Sequence, residues 1–358
     1  MSQESTTMVD QPKDIRPGEE LDKQALNTYL QTLFPELQGE LAIRQFPGGA
    51  SNLTYLVSKG DQEWILRRPP FGAKIASAHD MSREFRVMSA LQGHYPVPAM
   101  IAFCEDQDVL GCDFYLMERL KGIIPRTDLP KDLQLSEQDG LQLCMNVLQK
   151  FSELHNVDIE KAGLTSLGKG TGYVRRQIEG WSGRFRKAKT DNVPDFETVM
   201  DWLDDRQPED IGSCLIHNDF RFDNVVLNPD NPMEVIGVLD WEMCTLGDPL
   251  MDLGNSLAYW IEAGDEPQMQ MFRRQPTDIP GMLTRKEVVD WYCEQNGIEL
   301  TSFDFYEVYG LFRLAVIMQQ IYYRFHHGQT KDQRFAMFPM AITYLEQRCL
   351  RLIGESAL

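Results

Sequence analysis

The sequence predicts an α+β protein in which a strand-rich N-terminal region precedes a mostly helical one. Residues 41–46, 53–58 and 63–68 form three short runs separated by Gly-containing turns, a pattern typical of an antiparallel meander. From Ser136 onward, apolar side chains instead recur at helical spacing. The chain has 358 residues, enough for one large or two modest domains with a substantial core.

Composition and charge argue against several classes of protein. With 42% hydrophobic and 25% charged residues, the chain has an ordinary globular composition. Its net charge of −19 disfavours a nucleic-acid binder, which needs cationic surface to meet phosphates. We see no secretory signal and no apolar run of about 18 residues, so we expect no membrane partner.

Seven scattered cysteines without a C-x-x-C pair predict reduced thiols in a cytoplasmic protein. The oligomeric state stays open.

The elements around the meander follow from apolar periodicity and turn residues. Residues 1–18 are polar and include two prolines, so we expect a flexible tail. Helices are predicted over residues 21–34 and about 79–91, and strands over residues 97–103 and 114–117. Apolar stripes predict the helices of the remaining chain: residues 136–155, 249–263, 287–295, 303–325 and 334–353.

Three polar side chains stand out beside the short predicted strands at residues 214–216, 225–227 and 235–239. Asp219 follows the first strand, Asn224 comes five residues later, and Asp240 ends the third strand. Two carboxylates and a carboxamide form an oxygen-ligand set suited to Mg²⁺, with substrate phosphates completing the octahedron. In a kinase, one Asp takes the hydroxyl proton, while the Asn and the other Asp hold metal on the nucleotide. An ordinary Asp- and Asn-rich turn is the alternative.

These residues carry a resemblance to a known family. The pattern His217-x-Asp219-x-x-x-x-Asn224 resembles the catalytic loop of aminoglycoside phosphotransferases and choline kinases, a branch of the protein-kinase-like fold. The Asp-Trp-Glu sequence that begins at Asp240 stands where protein kinases have Asp-Phe-Gly, and residues 246–254 are also typical of the branch. The resemblance implies a two-lobed fold with a small antiparallel β-sheet N-terminal lobe and a mostly helical C-terminal lobe.

The resemblance also implies a division of the chain and a set of nucleotide contacts. It predicts an N-terminal nucleotide-binding lobe over residues 19–118, an inter-lobe connector over residues 119–124, and a helical catalytic and substrate lobe over residues 125–358. The backbone near the connector would meet the adenine edge of ATP, which involves Met117, Glu118 and Leu120.

The turn between the first two strands would cover the nucleotide phosphates in this fold. Gly48 and Gly49 allow close approach of the backbone, and Ser51 and Asn52 add hydrogen-bond donors. Without the downstream motifs, an ordinary hairpin would explain this turn equally well.

Arg67 occupies the third-strand position where kinases usually carry a phosphate-binding Lys. A guanidinium can also bind phosphate and pair bidentately with a carboxylate. Arg68 points to the other face of the strand. Glu84, on the following helix, is the expected partner of Arg67. A solvated pair of surface arginines is the alternative for Arg67 and Arg68, and a surface ion pair is the alternative for Glu84.

The remaining site residues have roles that the resemblance implies. Asp219 would accept the proton of the substrate hydroxyl, and Asn224 and Asp240 would hold Mg²⁺ on ATP. His217 and Asp252 would support the catalytic loop structurally.

A closer resemblance concerns the acceptor. Residues 48–55, 66–70 and 312–315 look like the phosphotransferase domains found fused to, or encoded beside, acyl-CoA dehydrogenases. This implies a small-molecule substrate with a hydroxyl group, such as a hydroxyacyl-CoA. Two alternatives stay open: a kinase for an aminoglycoside, choline or an amino alcohol, and a non-catalytic nucleotide-binding regulator.

Residues 175–189 carry a local excess of positive charge in this acidic chain. A solvated helix face is the default explanation. The alternative is a site for an anionic substrate, with these candidate contacts: Arg175, Arg176, Arg184 and Arg186.

Overall fold

The computed structural model describes residues 9–47, 52–71 and 80–358, which fall into two compact units. The first unit comprises the described residues up to Ile124 together with Pro130–Gln134 and Asn224–Glu242. The second unit comprises Pro125–Leu129, Leu135–Asp223 and Met243–Leu358. This division differs from the predicted boundaries mainly because Asn224–Glu242 packs with the first unit.

A five-stranded antiparallel sheet forms the centre of the first unit, with its strands in the order β1 (Leu41–Gln45), β2 (Leu53–Lys59), β3 (Gln62–Arg68), β5 (Phe114–Glu118) and β4 (Met100–Cys104). β1, β2 and β3 form the predicted meander. The turn between β2 and β3 uses Gly60, whose φ of +57° lies in the left-handed region. The elements of this unit, labelled in chain order, are α1 (Lys23–Leu33), β1 (Leu41–Gln45), β2 (Leu53–Lys59), β3 (Gln62–Arg68), α2 (Met81–Leu91), β4 (Met100–Cys104), α3 (Gln107–Leu110), β5 (Phe114–Glu118), β7 (Val225–Leu227) and β8 (Val235–Val238).

Apolar side chains of the sheet and α1 form the core of the first unit. Leu66 and Leu116 are fully buried within it. Phe34, at the end of α1, stacks on Trp64 of β3 with ring centroids 4.9 Å apart. The Asp22 side chain caps the start of α1 by accepting two backbone N–H groups. The helix is therefore capped at its start and packed on the sheet at its end.

β7 and β8 form a short antiparallel hairpin in the first unit, with Val225 opposite Val238. Backbone hydrogen bonds of 2.8 and 2.9 Å join β7 to Ile123. Because Val225 and Val238 are paired, Asn224 and Leu239 meet at the open end of the hairpin. The Leu239 N–H donates to the Asn224 carbonyl at 2.8 Å.

The second unit is mostly helical, and its long helix α10 (Asp304–His326) packs against α5 (Tyr173–Ala188), α6 (Glu197–Asp205), α7 (Pro249–Leu257) and α11 (Phe338–Glu355). α7 and α10 approach closely at two glycines: a Cβ on Gly310 would lie 2.1 Å from the Gly254 carbonyl oxygen. Among the described helices, none is both long and apolar enough to cross a membrane. The elements of this unit are α4 (Glu137–His155), α5 (Tyr173–Ala188), α6 (Glu197–Asp205), β6 (Cys214–Ile216), β9 (Thr245–Gly247), α7 (Pro249–Leu257), α8 (Pro267–Gln270), α9 (Arg285–Asn296), α10 (Asp304–His326) and α11 (Phe338–Glu355).

Part of the predicted tail is held against the sheet. The backbone of Lys13 exchanges hydrogen bonds of 2.7 and 2.9 Å with Gln45 of β1. The Arg16 N–H donates to the Gln45 side chain at 2.9 Å. Residues 13–16 are therefore fixed in place, whereas a loose segment was expected over residues 1–18.

Two predicted elements are shorter in the structure. The helix expected over residues 249–263 ends at Leu257, and the Ile261 N–H bonds to the Thr277 hydroxyl at 3.0 Å. The strand expected over residues 97–103 starts late, after prolines that lack a backbone donor.

α6 was not predicted from the sequence. Its buried residues, Val199, Met200 and Leu203, have helical spacing. However, no side chain caps its start, and the preceding Phe196 has a φ of +57° that local sequence rules do not anticipate.

Candidate active site

Arg67 lies at the centre of an ionic cluster in the first unit. Its Nε lies 3.3 Å from Oε2 of Glu84 on α2. Its Nη2 donates to Oδ1 of Asp240 and lies 3.7 Å from Oε2 of Glu242. The Arg67 side chain is 13% exposed and that of Glu84 is 1% exposed, so this pair is largely shielded from water. The fold thus brings together a strand cation, a helix carboxylate and a candidate metal ligand.

The charge balance of this cluster depends on Arg67. Burial raises the pKa of Glu84, while the neighbouring guanidinium acts in the opposite direction. Burial lowers the pKa of Arg67, but Glu84 and Asp240 outweigh it, so the net shift is upward and Arg67 stays charged. The three carboxylates around Arg67 attract a further cation when they are ionised.

Asn224 and Asp240 both lie at the open end of the β7–β8 hairpin. Asp240 has a φ of +67°, which is uncommon for a residue other than glycine and is often found at functional sites. Among the residues that the structure describes, no group of three or more His, Cys, Asp or Glu side chains is arranged to hold a metal ion. Two hard oxygen donors nevertheless suit Mg²⁺, which commonly takes one or two carboxylates plus phosphates and water.

The predicted phosphate-covering turn is only partly described. Gly48, Gly49 and Ser51 lie outside the described residues. Asn52 is 1% exposed, and its Nδ2 donates to Oε2 of Glu242 at 2.9 Å. In this structure its amide therefore supports the Arg67 cluster.

Arg68 lies on the opposite face of β3 from Arg67, as strand alternation predicts. Its Nη1 donates to the Leu110 carbonyl at 3.4 Å, and its guanidinium carbon lies 3.8 Å from the centre of the Phe71 ring. The two adjacent arginines therefore have separate environments, and Arg67 is the one beside the candidate metal ligand.

The residues predicted to meet adenine lie at and after the end of β5. Met117 and Glu118 belong to the strand, and the Glu118 N–H donates to the Ala99 carbonyl at 2.8 Å. Leu120 packs on Gly237, where an added Cβ would lie 2.2 Å from the leucine side chain. This segment is thus held by a backbone hydrogen bond to the residue before β4 and by side-chain packing on β8.

Asp252 braces the candidate catalytic loop in the second unit. Its two carboxylate oxygens accept the backbone N–H groups of His217 and Asn218, each at 2.7 Å. Oδ2 also lies 3.1 Å from Nε2 of His155, whose Nδ1 lies 2.5 Å from the Tyr292 hydroxyl. These are the contacts that a structural role for Asp252 requires, and His155 is a buried part of the same network.

Asn218 sets the backbone immediately before Asp219. It has a φ of +64°, and its Oδ1 accepts from the Tyr173 hydroxyl at 3.2 Å and the Asn255 amide at 3.0 Å. Its carbonyl accepts from Nη2 of Arg313 at 2.8 Å. Several elements of the second unit therefore hold the strained residue that precedes the candidate base.

Asp219 contacts His217, which the sequence singled out, and Arg221, which it did not. Its backbone N–H donates to Nδ1 of the buried His217 at 3.3 Å. Nη2 of Arg221 donates to Oδ2 of Asp219 at 3.3 Å, and Nε lies 3.2 Å from Oδ1. Arg221 also contacts Asp223 and the Tyr259 ring. The Asp-x-Arg-x-Asp spacing is the sequence signal for the contacts of Arg221 with Asp219 and Asp223.

Three of the four predicted substrate arginines on α5 are engaged by this protein's own groups. Arg175 pairs with Glu179 at 2.9 Å, and Arg186 forms a forked pair with Glu197. Arg176 donates to backbone carbonyls of the preceding loop. These contacts favour structural roles for the three side chains.

Arg184 has a different environment. It is exposed, and its guanidinium carbon lies 4.5 Å from the centre of the Trp181 ring. Arg313 lies 5.2 Å from the same ring and bonds the carbonyl of Asn218, which precedes Asp219. Arg184 therefore contacts the same Trp181 ring as Arg313, the residue that bonds the candidate catalytic loop.

Comparison with known proteins identifies related sequences. The family model described as the phosphotransferase enzyme family matches residues 42–287. Acyl-CoA dehydrogenase family member 10 of Mus musculus is 36% identical over 328 residues, covering 90% of this chain and 30% of that protein. Acyl-CoA dehydrogenase family member 11 of Homo sapiens is 31% identical over 348 residues, covering 95% and 44%. The chain therefore spans less than half the length of either relative.

Comparison with solved structures confirms the predicted kinase-like α+β fold. A Ralstonia eutropha protein assigned as an aminoglycoside phosphotransferase has a TM-score of 0.78 at 27% identity, covering 95% of this chain and 100% of that one. Choline kinase from Cryptosporidium parvum has a TM-score of 0.64 at 14% identity, covering 93% and 96%. An aminoglycoside phosphotransferase mutant in complex with AMP-PNP and hygromycin B has a TM-score of 0.53 at 16% identity, covering 93% and 99%.

Replacing Arg67 with Met should strongly destabilise the protein, because Glu84 would stay buried without its guanidinium partner. Removing one member of a buried ion pair typically costs about 3–5 kcal/mol. Urea unfolding measures the change in free energy of unfolding. The double variant Arg67→Met/Glu84→Gln should recover part of the loss. Arg175→Met, which removes an exposed ion pair, is the control and should have little effect; equal destabilisation by both single variants would contradict this interpretation.

Proposed function

This chain belongs to the phosphotransferase enzyme family, and from that premise we propose that it is an ATP-dependent small-molecule kinase that phosphorylates the hydroxyl group of a hydroxyacyl-CoA. The observation that carries the proposal is the contact of Arg67 with both Glu84 and Asp240. In kinases, a cation on this strand contacts the phosphates, a Glu on the following helix holds that cation, and an Asp in the place of Asp240 holds the metal. The sequence motif adds Asp219 as the proton acceptor and Asn224 as a second metal donor.

In the proposed reaction, Asp219 accepts the proton of the acceptor hydroxyl as that oxygen attacks the γ-phosphorus. A bond forms between this oxygen and phosphorus, the bond from phosphorus to the β–γ bridging oxygen breaks, and ADP leaves. Such transfer depends mainly on positioning and on stabilising charge. The hydrogen bonds from His217 and Asn218 to Asp252 support this step by fixing the loop that carries Asp219.

Asn224 and Asp240 are the residues that would hold Mg²⁺, which neutralises phosphate charge when bound. Arg67 supplies a permanent positive charge for the phosphates. A guanidinium in place of the commoner Lys keeps this charge and can bind two phosphate oxygens at once. Glu84 holds Arg67 in position through their 3.3 Å contact.

Two observations support a CoA ester as the acceptor. Relatives that share 31–36% identity with this chain are acyl-CoA dehydrogenase family members, proteins whose name refers to CoA esters. The exposed Arg184, stacked on Trp181, offers a cation for the phosphates of CoA, which arginine binds well. The proposed substrate therefore has its anionic part on Arg184 and its hydroxyl at Asp219.

The main alternative is a kinase for an aminoglycoside, choline or an amino alcohol. The net charge of −19 favours a cationic acceptor, and one structural relative carries hygromycin B. A regulator that binds a nucleotide without turnover is the second alternative, suggested by arginine at position 67. The presence of Asp219, and the contact of Arg67 with Glu84 and Asp240, argue against it.

A mass-gain assay tests the proposal. The protein is incubated with Mg·ATP and four acceptor types: hydroxyacyl-CoA esters, the matching free hydroxy acids, choline and hygromycin B. We expect phosphorylation of the CoA esters alone, and Asp219→Asn should lower this rate by roughly 10²–10⁴-fold while ATP affinity is retained. Phosphorylation of choline or hygromycin B alone would support the first alternative. ATP binding without transfer to any acceptor would support the second.

Arg184→Gln should raise the KM for the hydroxyacyl-CoA about tenfold and leave the KM for ATP unchanged, because it removes a charge-assisted contact to phosphate. The effect should grow at low salt. Lys187→Gln removes the same charge from an exposed position on the same helix and is the matched control. An equal rise in both variants would mean that KM responds to the general charge of α5, and no rise in either would remove Arg184 from the substrate site.

A further inference from the structure

We propose that Arg221 is a positioning residue for Asp219, an inference that rests on the proposed kinase function. Nη2 and Nε of Arg221 face Oδ2 and Oδ1 of Asp219 at 3.3 and 3.2 Å. A guanidinium that approaches both oxygens of a carboxylate in this side-on way defines the plane of that carboxylate. Arg221 therefore sets the direction in which Asp219 presents its oxygens.

Arg221 is itself anchored from two other directions. Its Nε lies 3.3 Å from Oδ1 of Asp223, and its guanidinium carbon lies 4.7 Å from the centre of the Tyr259 ring. An arginine side chain has many rotamers and loses conformational entropy on being fixed. The acid and the ring restrict Arg221 before any acceptor binds, so the orientation of Asp219 is preorganised.

The pairing is compatible with proton acceptance by Asp219. A carboxylate has about four acceptor positions, and the hydrogen bond from Nη2 of Arg221 uses one of them, on Oδ2. The Asp219 side chain is also 23% exposed, so it is accessible from outside the loop. The same carboxylate can therefore be held by Arg221 and receive a hydroxyl proton.

An arginine in a kinase can also act by direct contact with the transferred phosphoryl group. The two roles differ in how Arg221 and Asp219 depend on each other. If Arg221 acts through Asp219, replacing Arg221 should lower kcat little in a protein that already carries Asn at position 219. The fold-losses in kcat of the two single variants then do not multiply in the double variant. If Arg221 contacts phosphate directly, the losses multiply and the KM for ATP rises.

The test is a double-mutant cycle on kcat and both KM values, with the acceptor that gives the highest wild-type turnover in the mass-gain assay. Arg221→Gln should lower kcat roughly 10–100-fold, as expected for a misplaced catalytic group, with both KM values within about twofold of wild type. The kcat of Arg221→Lys should lie between those of the wild type and Arg221→Gln, because lysine keeps the positive charge but lacks the planar guanidinium. Arg221→Gln/Asp219→Asn should be no more than about threefold slower than Asp219→Asn.

Thermal melting and circular dichroism verify that each variant is folded. Should Arg221→Gln fail to fold, the Tyr259 anchor provides a second route. Tyr259→Leu, which removes the ring beneath the guanidinium, should lower kcat more than Tyr259→Phe, which keeps it. Equal kcat values for these two variants would contradict the anchoring role of the ring.

Three results in the cycle would overturn the inference: an unchanged kcat in Arg221→Gln, multiplying losses in the double variant, or a raised KM for ATP. Each of these leaves the proposed kinase function intact, because wild-type turnover is present. Absence of wild-type turnover on every acceptor would instead overturn the proposed function, and the inference with it.

Discussion

The buried guanidinium of Arg67 is the constraint on which the arrangement of the first unit depends. A charge removed from water requires nearby counter-charges, and here these come from elements that are distant in sequence. β3 supplies Arg67, α2 supplies Glu84, and the end of β8 supplies Asp240. A shift of β3 or α2 that separated Arg67 from Glu84 would leave the buried Glu84 carboxylate without its partner. The ionic cluster therefore ties the position of a candidate metal ligand to the central sheet.

In the second unit, hydrogen bonds to buried charged groups hold the candidate catalytic loop in place. The loop before Asp219 is held by the Asp252 carboxylate on its N–H groups and by Arg313 on the carbonyl of Asn218. Asn218 and Asp240 both have positive φ, so each unit carries a strained residue at, or directly beside, a candidate functional side chain. Strain of this kind persists only where the surroundings hold it, and preorganisation of the site is one reason to keep it.

Much of the fold and part of the site could be predicted because the signals are local. Strand alternation correctly separated the environments of Arg67 and Arg68. Asp219, Asn224 and Asp240 were found from their spacing, and their catalytic and metal-binding roles stay predictions. The grouping of Asn224–Glu242 with the first unit could not be predicted, because it depends on backbone pairing between β7 and the distant Ile123.

The hydrogen-bond and ion-pair partners of side chains were harder to predict from the sequence than which residues belong to the candidate site. Charge density alone gave equal weight to the four arginines of α5, whereas the structure pairs Arg186 with Glu197 on the unpredicted helix α6. The Asp-x-Arg-x-Asp spacing places Arg221 near Asp219, but the hydrogen bond from Nη2 to Oδ2 and the 3.2 Å approach of Nε to Oδ1 depend on rotamers, which spacing does not specify. Such contacts follow from packing and require coordinates.

Calorimetry of ATP binding with and without Mg²⁺ tests most directly the claim that the Arg67 cluster is the nucleotide end of a kinase. The proposal predicts that Mg²⁺ strengthens ATP binding to the wild-type protein and that folded Asp240→Ala loses most of this dependence, since a metal ligand is gone. An unchanged dependence on Mg²⁺ in Asp240→Ala, or no ATP binding by the wild-type protein, would contradict it.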